Sequence, residues 1–115
     1  MSLLAIRFAA EPVRSIAFGG ISGTYAAIGT PLVNPIRQFL IQNETDALLM
    51  FSLDGVNDHF PIPAGGFFLD DVSSNKSLLA QGWFLAAGTT LYVRTVGSPS
   101  TGNVYFSAFY GQDSL

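Results

Sequence analysis

The stretch "TTLYVRTVGSPSTGNVYFSAFYG", Thr89 to Gly111, decides the fold class. Two runs rich in β-branched and aromatic residues, Thr89–Val96 and Asn103–Gly111, flank the link "GSPSTG" at 97–102. Runs of this kind bounded by Gly, Ser and Pro read as strands, and the link between them reads as a hairpin loop. Successive side chains of a strand point to opposite sides. Val104, Phe106, Ala108 and Tyr110 therefore share one face, and Tyr105, Ser107 and Phe109 the other. A strand with one wet face alternates apolar with polar residues, but this one is largely apolar on both. One face is expected in a core and the other against a neighbouring chain; an isolated monomer would expose Tyr105 and Phe109, or their opposite-face neighbours, and Tyr105 and Phe109 are the candidate interface residues.

The same pattern extends outward in both directions. Strands are expected at Leu3–Ala9, Val13–Gly19, Gly23–Gly29, Ile36–Asn43, Ala47–Leu53, Asp58–Pro63, Gly66–Val72 and, less regularly, Gly82–Gly88. The 12 glycines and 6 prolines punctuate these runs. Pro61 and Pro63 cannot donate to a ladder, so Asp58–Pro63 fits only a sheet edge. "NETD" at 43–46 is a polar turn after which Ala47–Leu53 returns. Only Ser73–Gln81 could hold a helical turn. The expectation is an all-β, antiparallel β-sandwich, a jelly roll of about eight strands, forming a single domain over residues 1–115. No internal repeat, low-complexity segment or linker divides the chain.

Composition limits the function. Apolar residues make up 49% of the 115 and charged residues only 11%, well under the ~25% of an ordinary soluble domain. So little polar skin implies that other chains, including copies of this one, cover part of the surface. The net charge is −3, and the cations Arg7, Arg14, Arg37, Lys76 and Arg94 are scattered singly. Nucleic-acid binding through a phosphate-neutralising patch is therefore not expected. Mean hydropathy is +0.39, yet the longest apolar runs, such as Ala47–Phe51, fall far short of the ~20 residues of a spanning helix, so no membrane insertion is expected. Arg7 and Glu11 interrupt the apolar start, which does not read as a signal peptide. With no cysteine, disulfides and thiolate metal sites are excluded.

The stretch "FSLDGVNDHFPIPAGGFFLDD", Phe51 to Asp71, holds the one histidine and four of the eight acidic residues. His59 beside Asp54 and Asp58 could be a general base, but no nucleophile or oxyanion hole accompanies it. Asp54, Asn57 and Asp58 could hold a chance calcium ion, but the alternate donors and distal Glu of an EF-hand are missing. "DG" and "ND" between apolar runs are turn dipeptides, and a turn is the reading that carries most weight. "GGISG" at 19–23 lacks the Lys-Ser/Thr of a phosphate loop and reads as a connection. "NET" and "NKS" match the glycosylation sequon without a secretion signal to support it. Trp83, with Phe84 and Phe68, could stack on a sugar; a lone Trp in so aromatic a sandwich is more often core or interface. Trp83 and Phe68 therefore join the candidate interface residues. No enzymatic activity, cofactor or metal is expected.

One resemblance covers about Asn34 to Gly111. The run "NPIRQFLIQNETDALLMFSLDGVNDHFPIPAGGFFLDDVSSNK", followed by "GTTLYVRT" and "GSPSTGNVYFSAFYG", resembles small virion proteins of tailed bacteriophages. Such proteins look like jelly-roll cement or decoration proteins of the capsid, and related small sandwiches serve the neck, tail or fibre. The resemblance implies a structural role in a virion assembled in the host cytoplasm. It implies a major capsid protein or other virion proteins as partners, and a homo-oligomer. It supplies no functional residues. A carbohydrate-binding sandwich is the alternative of a different class.

Overall fold

The computed structural model describes residues 6–71 and 85–113. Its strands are β1 (Ile6–Ala10), β2 (Arg14–Ala17), β3 (Ala26–Ala27), β4 (Gln38–Asn43), β5 (Leu49–Ser52), β6 (Phe60–Ile62), β7 (Phe67–Asp71), β8 (Tyr92–Thr95) and β9 (Asn103–Asp113). They form two antiparallel sheets, and no α-helix occurs among the described residues. The first sheet runs β1-β9-β4-β7, with β2 also on β9; the second runs β3-β8-β5-β6.

The pairing is nested. The innermost pair, β5 with β6, is closed by the loop around Asp54–Asp58. Outside it come β4 with β7, then β3 with β8, then β1 and β2 with β9. Successive pairs fall in alternate sheets. One long hairpin folded over on itself gives this order, and it is the winding of a jelly roll. Because β1 and β2 share one partner, nine strands occupy eight places, as expected.

Between the sheets lies a core whose fully buried members include Ile28, Ile36, Ile41, Leu49, Phe51, Leu91, Val93, Val104 and Phe106. Aromatic rings tie the layers together. Phe39 (β4) stacks on Phe68 (β7) at 5.8 Å, Phe51 (β5) stacks on Phe60 (β6) at 5.7 Å, and Phe60 meets Phe68 across the sheets at 4.9 Å. Offset and edge contacts of this kind add ~0.5–1.5 kcal/mol each beyond area burial.

One connection differs from expectation. The link 97–102 joins β8 and β9, which belong to different sheets, so it is an arch over the end of the sandwich and not a hairpin loop. Each strand is two-sided, and the pair can bury its core faces against each other only from opposing sheets. A link of this length can bridge the ~10 Å between sheets; a two-residue turn could not. Asp46 pins the arch by accepting from Ser100 N–H (2.8 Å) and Ser100 Oγ (2.5 Å). Gly102 ends it at φ +98, where a Cβ would overlap the Glu44 carbonyl oxygen.

The "NETD" turn is likewise an arch, from β4 to β5. At its root Asn43 is fully buried. Its side-chain amide donates to the carbonyls of Ala47 (2.9 Å) and Ile62 (2.8 Å), and its oxygen accepts from Thr45 N–H and Oγ. The residues that make the turn polar thus hold three chain segments at one end of the sandwich.

Candidate interaction surface

The loop that follows β5 is built around Asp54. Its Oδ1 accepts the Val56 and Asn57 backbone N–H groups (2.8 and 2.9 Å) and Ser52 Oγ, and its Oδ2 accepts Asn57 Nδ2. The Asn57 donors chiefly, then Val56 and Ser52, hold the Asp54 carboxyl well below the usual carboxylate range. His59 Nδ1 accepts the Leu53 N–H at 2.9 Å, and its Nε2 lies 3.8 Å from Asp54 Oδ2. Asp58 turns elsewhere. Arg94 on β8 forks onto it (Nε 3.0 Å, Nη2 2.7 Å), and Tyr25 Oη donates to it. Arg94, then Tyr25, pull its carboxyl down to about 2. The acidic stretch is therefore a braced turn. Asp54 orders backbone, His59 closes the loop base, and an arginine occupies the second carboxylate, which opposes a shared cation. Among the described residues no group of three or more His, Cys, Asp or Glu is placed to hold a metal.

The polar residues of this loop are consumed in bracing. In the first sheet Val104, Phe106 and Ala108 of β9 are buried, Tyr110 on the same side is partly buried, and Tyr105, Ser107 and Phe109 on the outward side are half-buried. The register lays the outward residues in rows. Ala10, Phe109, Gln38 and Asp71 form one row; Ser107, Leu40 and Leu69 the next; Ser15, Tyr105, Gln42 and Phe67 the third. Phe8 stacks on Phe109 at 5.1 Å. Phe8, Phe67 and Leu69 are 67%, 68% and 64% exposed. Asp71, at the β7 end of the first row, is the one charged residue in these rows. Aromatic and amide groups without charge are the composition of a buried interface centre, and an exposed apolar patch of this kind marks an interaction site. The outer face of the second sheet is different: it carries the Arg94–Asp58 pair between Tyr25, Tyr92 and Met50.

The structure brings together Tyr105 and Phe109 on that outer face. Phe68 does not join them. Its ring turns inward to Phe39 and Phe60, because it is paired with Ile41, which faces the core. The outward residues of β7 are its neighbours Phe67 and Leu69. Trp83 lies outside the described residues, as do Phe84, the "NKS" sequon and the expected helical turn at 73–81. The "NET" sequon is inaccessible, since the Asn43 amide is buried and fully engaged.

A second feature escaped the sequence reading. Between the pairs Ala10↔Phe109 and Arg14↔Phe106 the first chain has Glu11, Pro12 and Val13, whereas β9 has only Ser107 and Ala108. This extra residue is a β-bulge, and it reverses the alternation. Arg14, which would face outward in the register of β1, turns inward beside Glu11. The two side chains, 7% and 2% exposed, meet at 2.8 Å. Glu11 also accepts from the Val33 and Asn34 N–H groups and from Asn34 Nδ2. Arg14 donates to the carbonyls of Thr30 (2.6 Å) and Pro31 (2.9 Å). Burial alone would raise the Glu11 carboxyl, but the donors of Asn34, Arg14 and Val33 outweigh it and leave it below the usual range. The pair bolts the bulge to the 29–34 segment and lines an open cleft of about 510 Å³. Only Pro12, which cannot donate to a ladder, hinted at the break.

Compared with protein-family models, curated proteins and solved structures, the chain matches none.

Proposed function

We propose that this chain is a non-enzymatic structural protein of a bacteriophage particle, a capsid cement protein that binds across shell subunits through the outer face of its first sheet. The observation that supports this reading is the aromatic, sparsely charged face spanning β1, β9, β4 and β7, in a chain with only 11% charged residues. Burying such a face contributes on the order of 25 cal/mol per Å² before association costs. Many identical contacts on a repeating shell then add by avidity. The phrasing of residues 34–111, similar to small virion proteins, points to the same setting.

The test uses shells of a phage that carries this chain, assembled without it. Added protein should bind and raise the temperature at which the shells rupture, because a ligand of the assembled state stabilises that state. Phe67→Asp and Phe109→Asp should abolish binding while leaving the domain folded by circular dichroism. Binding unchanged by both substitutions would remove the face from the interface. Binding to tails or necks but not to shells would replace the cement role with one elsewhere in the particle.

A further inference from the structure

The four sheet edges are unlike one another. In the second sheet, β3 has two residues and β6 carries Pro61 within its three. Short length and proline are devices that block edge-to-edge pairing. In the first sheet, β1 and β7 are five-residue strands without proline. Neither has a second strand partner among the described residues. Each bears a large exposed apolar side chain on the same outer face, Phe8 on β1 and Phe67 and Leu69 on β7. Their charges are opposite: β1 contains Arg7, and β7 contains Asp70 and Asp71.

We propose that the first sheet continues from one copy of this chain to the next, with β1 of one copy pairing with β7 of another. The main-chain ladder supplies affinity, as in other strand additions. The opposite charges select β1 against β7 over β7 against β7, because like charges facing each other across strands are destabilising. The contact is heterologous, so it leaves one free edge of each kind and builds rings or filaments, not closed dimers. It also joins the apolar outer faces of successive copies into one wider surface. The proposal deepens the particle-building reading and rests on it for that last consequence only.

The experiment is self-association of the purified chain without shells, followed by analytical ultracentrifugation. The parent should form species larger than dimers as concentration rises. Asp70→Lys/Asp71→Lys should weaken association about fivefold, a cross-strand charge effect of ~1 kcal/mol, and Arg7→Glu should do the same. Mixing the two variants should restore assembly, since Arg7 of one then meets the native β7 of the other and the reversed strands match in turn. Leu69→Lys, on an exposed outward position, serves as a second blocking variant should the double substitution unfold the domain. A parent that stays monomeric at millimolar concentration, a closed dimer, or a mixture no better than either variant overturns the proposal. If such a monomer still adds to shells, the functional reading stands without it; if the chain assembles yet ignores shells, the reverse holds.

Discussion

Removing Glu11 should be among the most damaging substitutions in this protein. Glu11→Ala would leave the Arg14 guanidinium in place at 7% exposure with carbonyl partners only. It would also strip the acceptor from the Val33 and Asn34 backbone N–H groups. Breaking a buried ion pair from one side costs ~3–5 kcal/mol, since the remaining charge keeps its desolvation penalty. The total stability of such a domain is ~5–15 kcal/mol, so a fifth or more of it is at stake. Replacing both partners, Glu11→Leu with Arg14→Met, should cost less than Glu11→Ala alone, because no charge is then buried. Urea unfolding should show the single variant with a lower midpoint and an unchanged slope, and the double variant between it and the parent. A loss under ~1 kcal/mol for Glu11→Ala, or a double variant worse than the single, would refute the claim that a desolvated charge governs this site.

Acid should unfold the protein by titrating the same group. The Glu11 carboxyl is lowered in the fold relative to its free value of 4.5, so its contribution is complete above that pH and is lost as pH falls through the lower folded value. Glu11→Gln should flatten stability against pH in that acid window, as read by chemical denaturation at a series of pH values. Glycine substitutions separate conformation from space at two left-handed positions. Gly65→Ala (φ +73) meets nothing within 4 Å and should cost only ~1 kcal/mol for backbone strain, whereas Gly102→Ala (φ +98) also drives a methyl into the Glu44 carbonyl and should cost ~3 kcal/mol or more. Equal melting temperatures for the two variants would contradict that difference.

The sequence by itself determined the class of the fold. Period-two alternation in Asn103–Tyr110 is a local property of the strand backbone, so its two alternating sets could be read without knowing any partner, though not which of them faced the core. Proline at position 61 is equally local: a missing N–H forbids a central strand wherever the chain goes, and β6 is indeed an edge. The turn at Asp54–Asp58 was legible for the same reason, because its hydrogen bonds join residues two to six positions apart.

What the tertiary structure decided is how these strands are distributed. A six-residue link is compatible with a hairpin or an arch, and only the competition among β5, β8 and β9 for partners sent β8 to one sheet and β9 to the other. Phe68 alternates with Phe67, and the choice of which ring entered the core was made by its registration against Ile41. The bulge at Glu11–Val13 is a mismatch between two strands nearly a hundred residues apart. No local pattern encodes a count taken on two chain segments at once, so the buried Glu11–Arg14 pair emerged only when β9 was laid beside both β1 and β2.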